Sequence, residues 1–153
     1  MKKERKLRIF ISGAARGNPG HGACAAVFYG AGSAVLSEEG KYLGNCANTS
    51  AEYGSLRLAL QAAAGTGAEE LEIFTDSELL VRQYGGEPVK DAAEAALLAE
   101  VRKDAANFKK VSLSHAPRAK NAEANRLVSQ LLDKARRVPP GVNKTLAKEN
   151  ERP

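Results

Sequence analysis

The order of predicted strands and helices constrains the fold of this chain more than any other feature. Short apolar or alternating runs predict three strands in the first third of the chain, at residues 7–11, 23–29 and 34–37. Dense Gly and Pro predict a turn over residues 12–20, and a kink after residue 37 leaves open whether the third strand continues or a short fourth one follows. Consecutive strands joined by short turns predict an antiparallel meander.

From residue 49 onward the pattern changes to alternating helices and strands. Periodicity and capping residues predict helices over 49–64, from Asp76-Ser77 to about 85, over 91–107 and from Asn121 onward, with strands at 70–75 and 111–114. The resulting order, β-β-β-α-β-α-α-β-α, predicts a mixed sheet with helices packed on its faces. At 153 residues and without an internal repeat, the chain is the size of one domain.

The positive charge of the chain is confined to its two ends, although the net charge is +5. Residues 1–8 carry five basic groups against one acidic group, and residues 134–153 carry six against two. The stretch between them holds 12 basic and 15 acidic residues. We therefore expect a basic N-terminal extension (1–8), a domain over 7–137 and a basic, flexible C-terminal tail (138–153). Such ends act either as solubilising tails or as contacts to a phosphate backbone, and both readings stay open.

The composition excludes several classes of protein. With 43% hydrophobic and 27% charged residues, the chain has the makeup of a globular protein rather than a disordered one. No apolar run approaches the roughly 18 residues of a membrane span, and no signal-peptide pattern opens the chain, so we expect a cytoplasmic protein without membrane contact. Cys24 and Cys46 lack CxxC spacing, which favours reduced interior thiols over a zinc site, with a disulfide as the lesser alternative.

Two acidic residues lie where α/β proteins often place functional groups. Asp76 directly follows a predicted strand, and ligands meet open sheets at the carboxyl ends of their strands. Glu52 lies in the first turn of the helix predicted from Thr49. Each also has a purely structural role available, because Asp76 can cap the next helix and Glu52 can complete a capping box with Thr49. Taken singly, neither residue identifies a site.

Five sequence strings, taken in order, resemble type 1 ribonuclease H over residues 7–137. They are Ser12-Gly13, Arg16-Gly17-Asn18-Pro19-Gly20, Asn48-Thr49-Ser50-Ala51-Glu52-Tyr53, Thr75-Asp76-Ser77, and Pro117-Arg118 with Asn121 and Asn125. Each string is weak alone, but their order, spacing and predicted elements all match the family. The resemblance implies an α/β, ribonuclease H-like fold: a mixed five-stranded sheet with three antiparallel strands and then β-α units, with helices on both faces. We also expect a monomer.

The resemblance also implies cleavage of the RNA strand of an RNA/DNA hybrid, at a site that is incomplete here. Family members hold two Mg²⁺ ions with four carboxylates, because hard divalent cations need anionic oxygens. Glu52 and Asp76 match the second and third carboxylates, whereas Ser12 and Asn125 stand at the first and fourth positions. We therefore expect impaired or absent hydrolysis, with one weakly bound Mg²⁺ or Mn²⁺ ion on Glu52 and Asp76, or none. From the residues alone, Ser12 fits a small strand-end residue and Asn125 a polar residue at the edge of an apolar helix face.

The positions that match the family's substrate-binding residues are better retained. They are Gly13, Arg16, Asn18, Asn48, Thr49, Ser77 and Arg118. We expect them to contact the backbone and minor groove of an RNA/DNA hybrid or of structured RNA. Two alternatives stay open: an active endoribonuclease that works through Glu52 and Asp76, and a scaffold domain that keeps only the fold.

Overall fold

The computed structural model describes residues 5–136, and a five-stranded sheet forms its centre. The strands are β1 (Lys6–Gly17), β2 (Gly20–Tyr29), β3 (Val35–Cys46), β4 (Glu70–Thr75) and β5 (Lys110–His115). Their spatial order is β3-β2-β1-β4-β5. β2 pairs antiparallel with β1 and β3, and β4 pairs parallel with β1 and β5. The predicted mixed α/β sheet is therefore confirmed.

Helices cover both faces of this sheet, as predicted. They are α1 (Asn48–Ala64), α2 (Glu78–Tyr84), α3 (Ala92–Ala105) and α4 (Ala122–Arg136), with a short 3₁₀ turn over Arg118–Asn121. None of the described helices is long and apolar enough to cross a membrane. β1 begins at Lys6, so the end of the 1–8 extension lies in the sheet, whereas residues 1–4 and the predicted tail lie outside the described residues.

The two faces of the sheet have different cores because successive strand residues point to opposite sides. On one face, the side chains of Leu7, Ile9 and Ile11 in β1 are buried in the cluster that includes Tyr53 and Leu56 of α1. On the other face, α4 packs its apolar side on alanines of β2. That second cluster consists of Ala23, Ala25, Val128 and Leu132. Small side chains in β2 let α4 lie close to the sheet. Asn125 of this helix then contacts Asp76, which follows the end of β4.

Several predicted boundaries are wrong. The turn predicted over 12–20 is confined to residues 18–19, because Ser12 to Gly17 continue to pair with β2. Gly17 supplies the left-handed φ of +96° that this turn requires. Strand pairing has overridden the turn propensity of the glycines there. Of the two alternatives for the chain after residue 37, continuation of the third strand is the one observed, since β3 is one strand from Val35 to Cys46.

The start of two helices also differs from the prediction. α1 begins at Asn48 after Ala47, with no side-chain cap, so the predicted capping box of Thr49 and Glu52 does not form. Glu52 therefore lies beyond the first turn, and its side chain is not used as a capping group. The last helix begins at Ala122 rather than Asn121, since a 3₁₀ turn precedes it.

Candidate functional site

The register of two parallel strands brings Ser12 and Asp76 side by side. The pairing of β1 with β4 ends at Ile11 and Thr75, so the residues that follow, Ser12 within β1 and Asp76 after β4, lie next to each other. α4 places Asn125 against both. The Ser12 hydroxyl donates to Asn125 Oδ1 at 2.5 Å, and Asn125 Nδ2 donates to Asp76 Oδ2 at 3.2 Å. Together with Glu52, these residues form what we call the carboxylate site.

The carboxylate of Asp76 is available to this site because its neighbour caps the following helix. Ser77 is the N-cap of α2, and its Oγ accepts a hydrogen bond from the Leu80 backbone N–H at 3.2 Å. The alternative that Asp76 serves as the cap is therefore wrong. Arg118 Nη1 lies 3.8 Å from Asp76 Oδ2, with 80% of the Arg118 side chain exposed. An ion pair this exposed to solvent contributes little stability, so the Arg118 guanidinium can leave Asp76 and bind another anion.

Glu52 belongs to α1, and its side chain is within electrostatic range of Asp76. Partial burial raises the pKa of Glu52 above its ordinary value, and the nearby charges of Asp76 and Glu94 raise it further. A hydrogen bond with the Ser77 side chain acts in the opposite direction. Glu52, Asp76 and Ser77 therefore lie within electrostatic reach of one another.

Asn121 fixes the start of α4 to the sheet. Its side chain is buried, and its Nδ2 donates to the backbone carbonyl of Ile11 at 2.7 Å. Ile11 directly precedes Ser12, so this bond sets the position of Asn125 one helical turn later. The motif included Asn121, but the sequence did not assign it this role.

The remaining predicted binding residues form a second group, the turn cluster, at the β1–β2 turn and the start of α1. Its members are Gly13, Arg16, Asn18, Asn48 and Thr49. The two asparagines connect the turn to the helix: Asn18 Oδ1 accepts from the Asn48 backbone N–H at 3.0 Å, and Asn48 Oδ1 accepts from the Ala15 backbone N–H at 3.1 Å. Both amide oxygens therefore hold the fold together, whatever else these side chains contact.

The other members of the turn cluster have different surroundings. Gly13 lies directly against α1, where a Cβ would come within 2.0 Å of the Ala51 carbonyl oxygen. Thr49 is half-buried in the first turn of α1. Arg16 Nη1 pairs with Asp133 Oδ1 of α4 at 2.7 Å, so its guanidinium is already engaged by an acidic residue.

Sequence reasoning missed a polar chain that runs beside the carboxylate site. The buried hydroxyl of Tyr53 donates to Gln83 Oε1 at 2.6 Å, and Gln83 Nε2 donates to Glu94 Oε1 at 3.3 Å. Glu94 is the group whose charge also acts on Glu52. These residues come from three separate helices and share no local spacing, so no sequence signal pointed to the chain.

Comparison with known proteins places this architecture in a family. Residues 11–131 match the family described as reverse transcriptase-like. Ribonuclease HI of Halobacterium salinarum is 33% identical over 131 residues, which is 85% of this chain and 66% of that protein. This chain belongs to the reverse transcriptase-like family of ribonuclease H-like domains. It covers only 36% of a second relative, the bifunctional protein Rv2228c of Mycobacterium tuberculosis, with 35% identity over 132 residues.

Solved structures agree with this assignment. RNase H1 from H. salinarum superposes with a TM-score of 0.81 at 32% identity, covering 84% of this chain and 98% of that one. LC11-RNase H1, solved in complex with an RNA/DNA hybrid, superposes with a TM-score of 0.80 at 33% identity, again covering 84% and 98% of the two chains. The ribonuclease H-like fold predicted from the sequence is therefore confirmed.

The residues of this ribonuclease H-like domain do not fit a pair of divalent cations. Over residues 5–136, no three His, Cys, Asp or Glu side chains are grouped so that they could hold a metal ion. The positions that the resemblance assigns to two further carboxylates hold Ser12 and Asn125, whose side chains are neutral. The amide of Asn125 presents hydrogens, not an oxygen, to Asp76, and Arg118 adds a positive charge on the same carboxylate oxygen.

Proposed function

We propose that this ribonuclease H-like domain recognises RNA/DNA hybrid and that its hydrolysis of the RNA strand is impaired. Recognition is supported by the likeness to LC11-RNase H1, which was solved with an RNA/DNA hybrid. The impairment rests on one observation, the hydrogen bond from the Asn125 amide to Asp76. Where positioned charged groups stabilise the transition state, losing even one of them lowers the reaction rate by a factor of about 10²–10³.

The exposed groups around the carboxylate site supply the chemistry for binding a nucleic-acid backbone. Arg118 carries a largely exposed guanidinium beside Asp76, and a planar guanidinium suits a phosphate oxygen pair. Asn48 and Thr49 stand at the start of α1, where small polar side chains can contact 2′-hydroxyls and base edges in the minor groove. Hydrogen bonds within the turn cluster hold this start of α1 in place before any ligand arrives.

The retained carboxylates favour one rival function, an endoribonuclease that works through Glu52 and Asp76. Both acids are present and close enough for each to affect the other electrostatically. Both functions require binding of the RNA/DNA hybrid, but only the endoribonuclease cleaves its RNA strand efficiently. Measuring binding and cleavage of the same hybrid therefore distinguishes them.

The test combines fluorescence anisotropy with a labelled RNA/DNA hybrid and a cleavage assay in Mg²⁺ and in Mn²⁺. We expect the wild-type domain to bind hybrid and the Ser12→Asp/Asn125→Asp variant to cleave it faster than wild type by a factor of about 10²–10³ or more. Wild-type turnover that Glu52→Gln abolishes would establish the active endoribonuclease instead. Absence of hybrid binding even at low salt would refute recognition and leave a scaffold domain.

A further inference from the structure

The carboxylate site has a feature that the loss of two acids alone does not explain. We propose that Ser12 and Asn125 close this site to divalent cations by substituting an internal hydrogen-bonded network for them. The proposal deepens the proposed function, since it gives the reason for impaired hydrolysis. It rests on the geometry of the free protein, however, and needs no bound nucleic acid.

The chemistry of the three side chains allows one arrangement that satisfies all of them. An ionised carboxylate can only accept hydrogen bonds, so the NH₂ group of Asn125 must face Asp76. The amide oxygen then faces Ser12, whose hydroxyl is able to donate. The observed contacts follow this arrangement, with Ser12 donating to Asn125 Oδ1 and Asn125 Nδ2 donating to Asp76 Oδ2.

This arrangement opposes a cation at the oxygen where it would bind. Asp76 Oδ2 accepts from the Asn125 amide at 3.2 Å and lies 3.8 Å from the Arg118 guanidinium, so a neutral hydrogen-bond donor and one positive charge already face it. Mg²⁺ requires octahedral oxygen ligands at about 2.0–2.1 Å and gives up water reluctantly. To offer its oxygen, the Asn125 amide would have to turn over. That would break the bond to Asp76 and set two acceptor oxygens against each other.

The same network connects three elements that a metal ion would otherwise have to join. Ser12 directly follows the last β1 residue paired with β4, Asp76 follows β4, and Asn125 belongs to α4. Ser12 is only 4% exposed, so its hydroxyl depends on a protein partner rather than on water. The network therefore stabilises the domain without metal. In a site rebuilt with four carboxylates, like charges would repel each other until a cation neutralised them.

The decisive experiment is a metal titration of the wild-type domain without nucleic acid. Paramagnetic broadening of ¹H–¹⁵N signals by Mn²⁺ would locate any bound ion, and thermal unfolding would be followed with Mg²⁺ up to about 10 mM. We expect no saturable broadening at residues 12, 76 and 125, and a Tm unchanged within about 1 °C. Broadening confined to other surface positions agrees with the proposal, because the site itself stays closed.

Two variants supply the comparison. Ser12→Asp/Asn125→Asp is expected to bind Mn²⁺ at the site and to show a Tm that rises by several degrees with Mg²⁺. Ser129→Asp/Gln130→Asp adds the same two charges on the exposed side of α4 and is the matched control, with no comparable rise. If the first variant fails to fold, Asn125→Ala replaces it: its Tm should fall below that of Gln130→Ala, because only Asn125 belongs to the network.

Each outcome bears on the proposal. Saturable Mn²⁺ broadening at the wild-type carboxylate site, or a wild-type Tm that rises with Mg²⁺ as steeply as that of the rebuilt site, would overturn it. Equal Tm values for Asn125→Ala and Gln130→Ala would also overturn it. A domain that resists metal but fails to bind hybrid would refute only the proposed function, so the two failures are distinguishable.

Discussion

β1 approaches α1 closely at Gly13, and this contact predicts that an added side chain there displaces the helix that carries Glu52. An alanine Cβ at this position would lie 2.0 Å from the Ala51 carbonyl oxygen and 2.8 Å from the Glu52 backbone nitrogen. Real Cβ atoms essentially never come within 3.0 Å of such atoms. The backbone of α1 would therefore have to move by at least about 1 Å, and both atoms belong to a rigid helix rather than to a flexible side chain.

The expected cost of Gly13→Ala follows from this overlap. Forcing extra volume into a packed interface costs about 1–3 kcal/mol, sometimes more. For a domain of this size, each kcal/mol lowers Tm by about 2–4 °C, so the expected fall is about 2–12 °C. Because the displaced segment carries Glu52, the carboxylate site shifts together with the helix.

The assay is thermal and urea unfolding of Gly13→Ala beside Gly32→Ala. Gly32 is the matched control because its added Cβ would meet nothing within 4 Å. The alanine there should leave stability unchanged or raise it slightly by restricting the unfolded chain. If Gly13→Ala unfolds at the same temperature as Gly32→Ala, the close packing of β1 on α1 is not what fixes Glu52, and the reasoning fails.

Two further predictions concern buried side chains. Asn121→Ala should destabilise the domain by about 1–3 kcal/mol in urea unfolding, because it removes the buried donor to the Ile11 carbonyl. Asn107→Ala, on the surface, should not, and equal losses would contradict this role of Asn121. Burial raises the pKa of the Cys24 thiol to about 12, so at pH 8 almost none of it is thiolate. A thiol reagent should therefore modify only Cys46 in the folded protein and both cysteines in urea, and rapid modification of two native thiols would show that Cys24 is accessible.

The sequence predicted the fold best where local pattern and tertiary pairing agree. The strand over 70–75 alternates between buried and half-buried residues and ends at a helix cap, and β4 has those bounds. At residues 12–17 the two signals conflict, because glycines and small residues favour a turn while pairing with β2 extends the strand. Local propensity cannot anticipate that result, since the stabilising partner lies in another strand.

The sequence identified which residues belong to the carboxylate site but not the hydrogen bonds between them. Motif order placed Ser12, Glu52, Asp76 and Asn125 at corresponding positions of one family site, and the structure brings them close together. The hydrogen bond between Ser12 and Asn125 joins residues 113 positions apart, so no local spacing could reveal it. Ser12 and Asn125 considered separately each fit a minor structural role, and only their contact shows that the two belong to one arrangement.

That contact also predicts that changes at positions 12 and 125 depend on each other. With Asp at position 12 and Asn125 kept in its present orientation, a carboxylate would face the amide oxygen, and two acceptors would lie in contact without a donor. With Ser12 kept and Asp at position 125, two carboxylates would meet where Asn125 Nδ2 now lies 3.2 Å from Asp76 Oδ2. A single aspartate at either position therefore creates an unfavourable contact, and no such contact exists when Ser12 and Asn125 are both present. Residues that share one hydrogen-bond network are expected to couple in this way, so the effects of changing residues 12 and 125 on stability should not add.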